Sequence, residues 1–275
     1  MKSNYLPTDY QTFIATSRYA RWLEEEGRRE TWGETVGRYM TNIVSPWLTP
    51  THQEEISSAI LSLEVMPSMR SLMTAGKSSA RDNTCMYNCS YLPVDDPKAF
   101  DEAMFILLCG TGVGFSVERQ FITKLPEVPS LFESDTTIVI KDSKEGWAKG
   151  LRQVLALLWA GEIPKWDVSK VRPAGARLKT FGGRASGPAP LVDLFNFSVS
   201  TFKAAQGRKL SSIECHDLMC KIGEVVVVGG VRRSAMISLS NLSDDRMRHA
   251  KSGNWWELNG QRALANNSVS YTEKP

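Results

Sequence analysis

Five cysteines stand at Cys85, Cys89, Cys109, Cys215 and Cys220. Two share one short polar stretch, Arg81-Asp82-Asn83-Thr84-Cys85-Met86-Tyr87-Asn88-Cys89-Ser90, just before a β-like run. A thiol acts as nucleophile or redox group when its thiolate is accessible, whereas a buried one packs as a small apolar side chain. Two cysteines cannot close a tetrahedral metal site, and the third cysteine that a radical iron–sulfur cluster would need two residues on is absent. The segment therefore carries either a redox thiol or two inert ones. Cys215-His216 with Cys220 has the ligand types of a zinc site, but Cys215, Leu218, Met219 and Ile222 form one helical face. Core packing is favoured there, and no metal site is expected.

Two glycine-rich segments have chemistry of another kind. Gly110-Thr111-Gly112-Val113-Gly114 follows a helical pattern and precedes a β-like one, the reverse of the strand, loop, helix order of a dinucleotide fingerprint. Its spacing also departs from that fingerprint, and no G-x-x-x-x-G-K-[ST] occurs. What is left is either a loop whose backbone lets a ligand or another chain come close, or a plain tight connection. The run from Arg172 to Leu191 is longer, carries Arg172, Arg177, Lys179 and Arg184, and ends on Pro188 and Pro190. A long loop inside a compact domain is usually functional, and cations with free amides suit phosphate or nucleotide contact. Gly229-Gly230-Val231-Arg232-Arg233-Ser234-Ala235 sets two arginines at a helix-to-strand junction, where a surface ion pair is the plain reading.

The elements that must hold these residues are legible in outline. Trp32, Val36, Met40 and Ile43 recur at helical spacing, and a second helix starts at Thr49-Pro50, with Thr49 as N-cap and Pro67 as its stop. Residues 1–66 are expected to be all-helical. From 67 onward short β-like runs alternate with amphipathic segments, which predicts an α/β architecture with parallel strands. Asp96-Pro97 opens a helix closed by Gly110, and Ser143 caps another carrying Trp147, Leu151, Val154, Leu155 and Leu158. Further helices are expected over 191–205 and 211–228. Strands are expected at 115–117, 137–141, 166–169, 234–239 and 267–272. The last lies near the end of the sequence, which suggests that the fold continues in something else.

Composition narrows the class. The 275 residues are 42% hydrophobic and 23% charged, with mean hydropathy −0.25, ordinary values for a globular protein rather than a disordered or coiled-coil chain. Lys plus Arg number 33 against 30 acidic residues, too even for a nucleic-acid footprint. The opening MKSNYLPTDY lacks the pattern of a signal peptide, no apolar run is long enough for a membrane span, and the sparse, odd cysteine count suits reduced thiols in the cytoplasm.

Taken in order, these residues resemble the catalytic chain of ribonucleotide reductases, most closely the adenosylcobalamin-dependent (class II) ribonucleoside-triphosphate reductases of the monomeric type. The resemblance is carried by Tyr19-Ala20-Arg21-Trp22-Leu23, Pro67-Ser68, Asn88-Cys89, Gly112-Val113-Gly114-Phe115-Ser116-Val117, Glu145-Gly146-Trp147 and Arg172-Pro173. It continues through Phe181-Gly182-Gly183, Ala185-Ser186-Gly187-Pro188, Val231-Arg232-Arg233-Ser234-Ala235 and Asn266-Asn267-Ser268-Val269. It implies a ten-stranded α/β barrel made of two half-barrels, with this sequence over the helical region (1–66) and the first half-barrel (67–275).

The resemblance also implies roles. Cys89 matches the first-strand cysteine that, with a second cysteine elsewhere, reduces the ribonucleotide and ends as a disulfide; Cys85 has no counterpart in that motif. Ser68, Asn88, Gly112, Val113 and Gly114 match residues lining the substrate site. Lys179, Thr180, Phe181, Gly182, Gly183, Arg184, Ala185 and Ser186 match the specificity loop, which relays a deoxynucleotide effector's identity to the substrate. The implied cofactor is adenosylcobalamin, the substrate a ribonucleoside di- or triphosphate, and the reductant an external thioredoxin-like dithiol.

The departures matter too. The family's radical-bearing cysteine lies in an N-P-C-G-E-like finger loop that this sequence lacks, so a C-terminal half carrying it is the expected partner, and the chain alone is expected to be inactive. Met66 stands where relatives carry Thr. The segment between Pro126 and Ile138 is shorter than the monomeric enzyme's insertion, so effector binding would call on a second subunit, a homodimer being one form of it. The rival readings are a non-catalytic nucleotide-binding or regulatory protein, and a fragment of a class I chain served by a separate radical subunit.

Overall fold

A computed structural model of the chain describes residues 6–176, 184–228, 236–271 and 273–274. It divides into two compact units, Met1–Asn88 and Cys89–Pro275. The expected boundary at 66/67 falls inside the first unit.

In the first unit α1 (Asp9–Ile14) is capped by Thr8. A two-residue antiparallel pair, β1 (Trp22–Leu23) and β2 (Arg28–Arg29), follows, so the region is not all-helical as expected. Gly27, at φ 61, lies in the turn between the two strands, a conformation that glycine adopts without penalty. Helix α2 (Trp32–Tyr39) begins with a reciprocal cap between Thr31 and Glu34 and buries Trp32 and Val36. Helix α3 (Pro50–Leu61) starts where expected, yet the Thr49 hydroxyl pairs with His52 Nδ1 at 2.9 Å rather than with a helix amide. It also ends before Pro67, at Leu61, where Ser62 Oγ turns back to the Ser58 carbonyl and Leu63 takes a positive φ of 66°. Helices α4 (Met69–Thr74) and α5 (Lys77–Arg81) complete the unit. Its core is Ala15, Trp32, Val36, Met40, Ile60 and Leu72.

The second unit is α/β. Its elements run β3 (Cys89–Pro93), α6 (Lys98–Leu108), β4 (Gly112–Ser116), α7 (Arg119–Ile122), β5 (Phe132–Val139), α8 (Lys144–Trp159) and β6 (Glu162–Asp167). Then come α9 (Ala189–Ala204), α10 (Ser212–Val228), β7 (Met236–Asn241), α11 (Asp245–Arg248), α12 (Trp255–Leu258) and β8 (Ala265–Ser270). Strands β3, β4, β7 and β8 form one sheet in that order, every pairing parallel, and β5 and β6 form a separate parallel pair. Each predicted strand is present, shifted by a few residues. Asp96 Oδ1 accepts from the Lys98 amide at 2.8 Å to start α6, and Ser143 Oγ accepts from the Gly146 amide at 3.0 Å to start α8.

The core lies between one face of the four-stranded sheet and the helices. Phe100, Met104, Leu107, Leu151, Leu155, Leu158, Leu194, Phe195, Phe202, Met219 and Ile222 meet Val113, Phe115 and Met236 there. Each large side chain so removed from water contributes on the order of 1.5–3 kcal/mol. Cys215, His216 and Cys220 lie in this core with no exposure. Burial pushes both thiols well above the ordinary cysteine range, so they are packing groups.

Candidate functional site: the open face of the parallel sheet

Parallel sheets are normally covered on both faces, but among the described residues this one is covered on one. Side-by-side pairing sets Tyr91, Gly114, Ile237 and Asn266 in one row, and Cys89 beside Gly112 two rows before it. Tyr91 is 54% exposed and Ile237 40%, while Leu92, Phe115 and Ser238 in the adjacent row are buried. Alternation along each strand sends successive side chains to opposite faces, so the Cys89 thiol and the Tyr91 ring share the uncovered face.

Cys89 is exposed and free, at the first position of edge strand β3, whereas Cys85 is buried with its thiol directed at the Asp82 carbonyl, 3.3 Å away. The pair read from sequence thus separates into an accessible thiol and a packed one. Next to Cys89, Ser90 Oγ donates to the Gly112 carbonyl at 2.9 Å and fastens β3 to β4. The glycine segment is not a loop: Gly112–Ser116 is strand, and the turn is made by Gly110 at φ 82. Gly114 sits close to its neighbours: a Cβ there would lie 3.3 Å from Ile237 Cγ2, which would have to give way, and 3.5 Å from the Ser90 carbonyl.

At the carboxyl ends of the strands a polar knot closes the sheet. Ser116 Oγ donates to Glu118 Oε2 at 2.7 Å, Gln120 donates to Oε1 at 2.9 Å, and Ser270 bonds the same carboxylate. Asn241 Oδ1 accepts from the Arg119 amide at 2.7 Å. Burial pushes the Glu118 carboxyl up, but these donors outweigh it and leave it below the usual range, as hydrogen bonds to the charged form do. Burial and the charges of Glu118 and Asp95 raise the Tyr91 phenol above the ordinary value, with the nearby Ser116 hydroxyl opposing them. Sequence reasoning missed Tyr91 and Glu118; the period-2 position of Tyr91 relative to Cys89 was the available signal.

Behind the sheet, Arg262 grips Asp217 through Nε and Nη2 at 2.7 and 2.6 Å and donates to the Ala250 carbonyl at 2.7 Å. Asp217 meets His216, whose Nε2 is 3.3 Å from Asn267 Oδ1. This chain links α10 to the start of β8.

The remaining expected site residues that the structure describes lie within their own units. Ser68 is exposed at the start of α4, without a capping bond from its hydroxyl, and Asn88 is exposed at the end of the first unit. Lys179, Thr180, Phe181, Gly182 and Gly183, and the arginine pair Arg232-Arg233, lie outside the described residues. The base of the 172–190 segment is described and is tightly pinned. Gly175 N donates to the Ala185 carbonyl and Ala185 N to that of Ala176, both at 2.8 Å, and Arg184 Nη1 reaches the Gly175 carbonyl at 2.9 Å. Ser186 is half-buried with its hydroxyl on the Gly187 carbonyl. Gly187, at φ 76, packs where a Cβ would come within 2.9 Å of the Ala174 amide. Arg172 Nε pairs with Asp142 at 2.8 Å.

Comparison with known proteins gives this geometry a context. A family model described as the insertion domain of B12-dependent ribonucleotide reductase matches residues 129–200, the stretch holding β5, α8, β6 and most of α9. Adenosylcobalamin-dependent ribonucleoside-triphosphate reductases of Lactobacillus acidophilus and Lactobacillus leichmannii are 27% and 28% identical over 93% and 92% of the chain, which covers 44% and 43% of them. A protein of Mycobacterium phage D29 named as a putative reductase of the same kind is 28% identical over 88% of the chain and 42% of its own length. A crystal structure of a B12-dependent (class II) ribonucleotide reductase superposes with a TM-score of 0.80 at 23% identity, over 94% of this chain and 45% of that one. The chain spans less than half the length of these relatives. It resembles the N-terminal part of adenosylcobalamin-dependent ribonucleotide reductases. Among the described residues no helix is long and apolar enough to cross a membrane.

Proposed function

We propose that this chain is a substrate-binding and thiol-bearing portion of an adenosylcobalamin-dependent ribonucleotide reductase. The observation that carries the reading is one accessible thiol, Cys89, at the edge of an uncovered parallel face beside Gly112. In that reading the four-stranded sheet belongs to one half of a ten-stranded barrel, and the face is covered by a C-terminal half that carries a second reducing thiol and the radical-bearing cysteine.

The chemistry fits the position. Once the sugar is a radical at C3′, its 2′ hydroxyl leaves as water when a nearby group gives it a proton. Cys89 is that proton donor. The two electrons come from Cys89 and the partner thiol, which end joined as a disulfide, so one ribonucleotide and two thiols give one deoxyribonucleotide, water and one disulfide. The bond requires α-carbons roughly 4.4–6.8 Å apart, and an edge strand leaves Cys89 that approach. An external dithiol restores the thiols by exchange. The pinned segment around Arg172, Arg184, Ala185 and Ser186 is the base of a loop that reads a deoxynucleotide effector.

Adenosylcobalamin, when bound, supplies the radical. The residues described do not by themselves fit a corrin. The three histidines are engaged elsewhere: His52 with Thr49, His216 in the core, and His249 with the Asp245 carbonyl. Holding that group falls to the rest of the assembly. Purification from native expression, followed by intact mass of what co-elutes, tests the reading. Recovery of a polypeptide with the finger-loop cysteines supports it. A stable, monodisperse chain with no such partner favours a nucleotide-binding protein without radical chemistry.

A further inference from the structure

Tyr91 stands two residues from Cys89 on the same strand and the same uncovered face, about 7 Å along the chain. Its ring lies against Gly114, a Cβ there falling 3.7 Å from Tyr91 Cδ2, and it faces Ile237 Cγ2 across that glycine. Its phenol lies near Ser116, which is buried and bonded to the buried Glu118. Glu118 in turn is held by Gln120 and Ser270. An aromatic ring half exposed to solvent is ordinarily free to change rotamer; this one is backed by Gly114, with its phenol on the side of the Ser116–Glu118 pair at the carboxyl end of β4. Fixing an exposed ring lowers the entropy lost when a ligand packs on it.

We propose that Tyr91 is a positioning residue for the nucleotide. Its ring forms the wall that stops the ligand's sugar on the carboxyl-terminal side of Cys89, and Glu118, through Ser116, holds that wall in place. This rests on the reading that a ribonucleotide binds over Gly112 beside Cys89. The ligand class follows from the surface: glycine backbone below, a thiol at one end, and a flat apolar ring edge at the other accept the apolar face of a furanose, not a second protein strand.

The test uses Cys89 as its own reporter. The rate at which iodoacetamide alkylates Cys89, read by peptide mass, is measured with and without each of the four ribonucleoside triphosphates, and the ratio gives a protection constant for each variant. In the wild-type chain nucleotide slows the alkylation. Tyr91→Ala should weaken the protection constant about tenfold, equivalent to roughly 1.4 kcal/mol. Tyr91→Phe, which keeps the ring and drops the hydroxyl, and Glu118→Gln, which removes the charge beside it, should fall between. Circular dichroism and the nucleotide-free alkylation rate of each variant separate misfolding from lost binding. Equal protection of Tyr91→Ala and wild type overturns the proposal while leaving the nucleotide site standing. No protection of the wild-type chain overturns the site, and the proposal with it.

Discussion

Arg262→Ala is the most quantitative perturbation this fold offers. Arg262 and Asp217 form a two-point ion pair with both side chains only 12–13% exposed, and the same arginine caps the Ala250 carbonyl. Burial raises the Asp217 carboxyl, but the Arg262 bonds and His216 outweigh it and hold it below the usual carboxylate range. Removing the arginine strands a buried carboxylate, which costs about 3–5 kcal/mol, a large fraction of the roughly 5–15 kcal/mol that holds a domain folded. The sign with pH follows from the lowered carboxyl. Its contribution is complete above the unfolded value, about 3.9, and disappears as pH falls through the folded value. The difference between wild type and Arg262→Ala should therefore be about 3 kcal/mol at pH 7 and shrink as pH falls toward and below about 4. Urea unfolding followed by tryptophan fluorescence at several pH values reads this directly. The neutral pair Asp217→Asn with Arg262→Gln should cost less than Arg262→Ala alone, because no charge is left stranded. A loss under about 1 kcal/mol at pH 7, or one independent of pH, would refute the assignment of this pair as the anchor between α10 and β8.

Three further outcomes are expected. In the native chain iodoacetamide should label Cys89 alone among Cys85, Cys89, Cys215 and Cys220, since the other three are buried; peptide mass mapping checks it, and labelling of Cys215 before Cys89 would contradict the burial. Gly114→Val should destabilise by about 1–3 kcal/mol in thermal or urea unfolding, because its branches meet Ile237 and the Ser90 carbonyl. Gly187→Ala should cost at least about 1–2 kcal/mol from its left-handed backbone and speed limited proteolysis near 174–187; unchanged cleavage would show that Gly187 does not pin the segment.

Much of the second unit was legible in its sequence because its signals are local. Ser143 and Asp96 mark helix starts, apolar residues three and four apart mark the buried faces of α6 and α8, and β-like runs mark six strands. The glycine segment reads as a loop because glycine counts as a turn former, yet Gly112 and Gly114 lie inside a strand, and Gly114 packs closely against Ile237. Thr49 and Pro67 misled similarly: the Thr49 hydroxyl found His52 instead of an amide, and α3 ended earlier through the Leu63 turn. The β1–β2 pair, two residues per strand, is too short to show a period. Cys89 was singled out by resemblance rather than by spacing, and its exposure against the burial of Cys85 is a tertiary fact. Glu118 was invisible because its meaning arises only when Ser116 and Ser270, far apart in the chain, come together, whereas Tyr91 left a signal in its place two residues after Cys89.

Reduction of a ribonucleotide by Cys89 is the central proposal. The direct measurement combines this chain with the C-terminal portion of a related reductase, adenosylcobalamin, a dithiol and a ribonucleoside triphosphate, and quantifies deoxynucleotide by chromatography for the wild type and for Cys89→Ser. Wild-type chain should give turnover and Cys89→Ser none, with both folding alike because the residue is exposed. Turnover that survives Cys89→Ser, or no turnover from the mixture while a fused polypeptide of the same two parts is active, would contradict it.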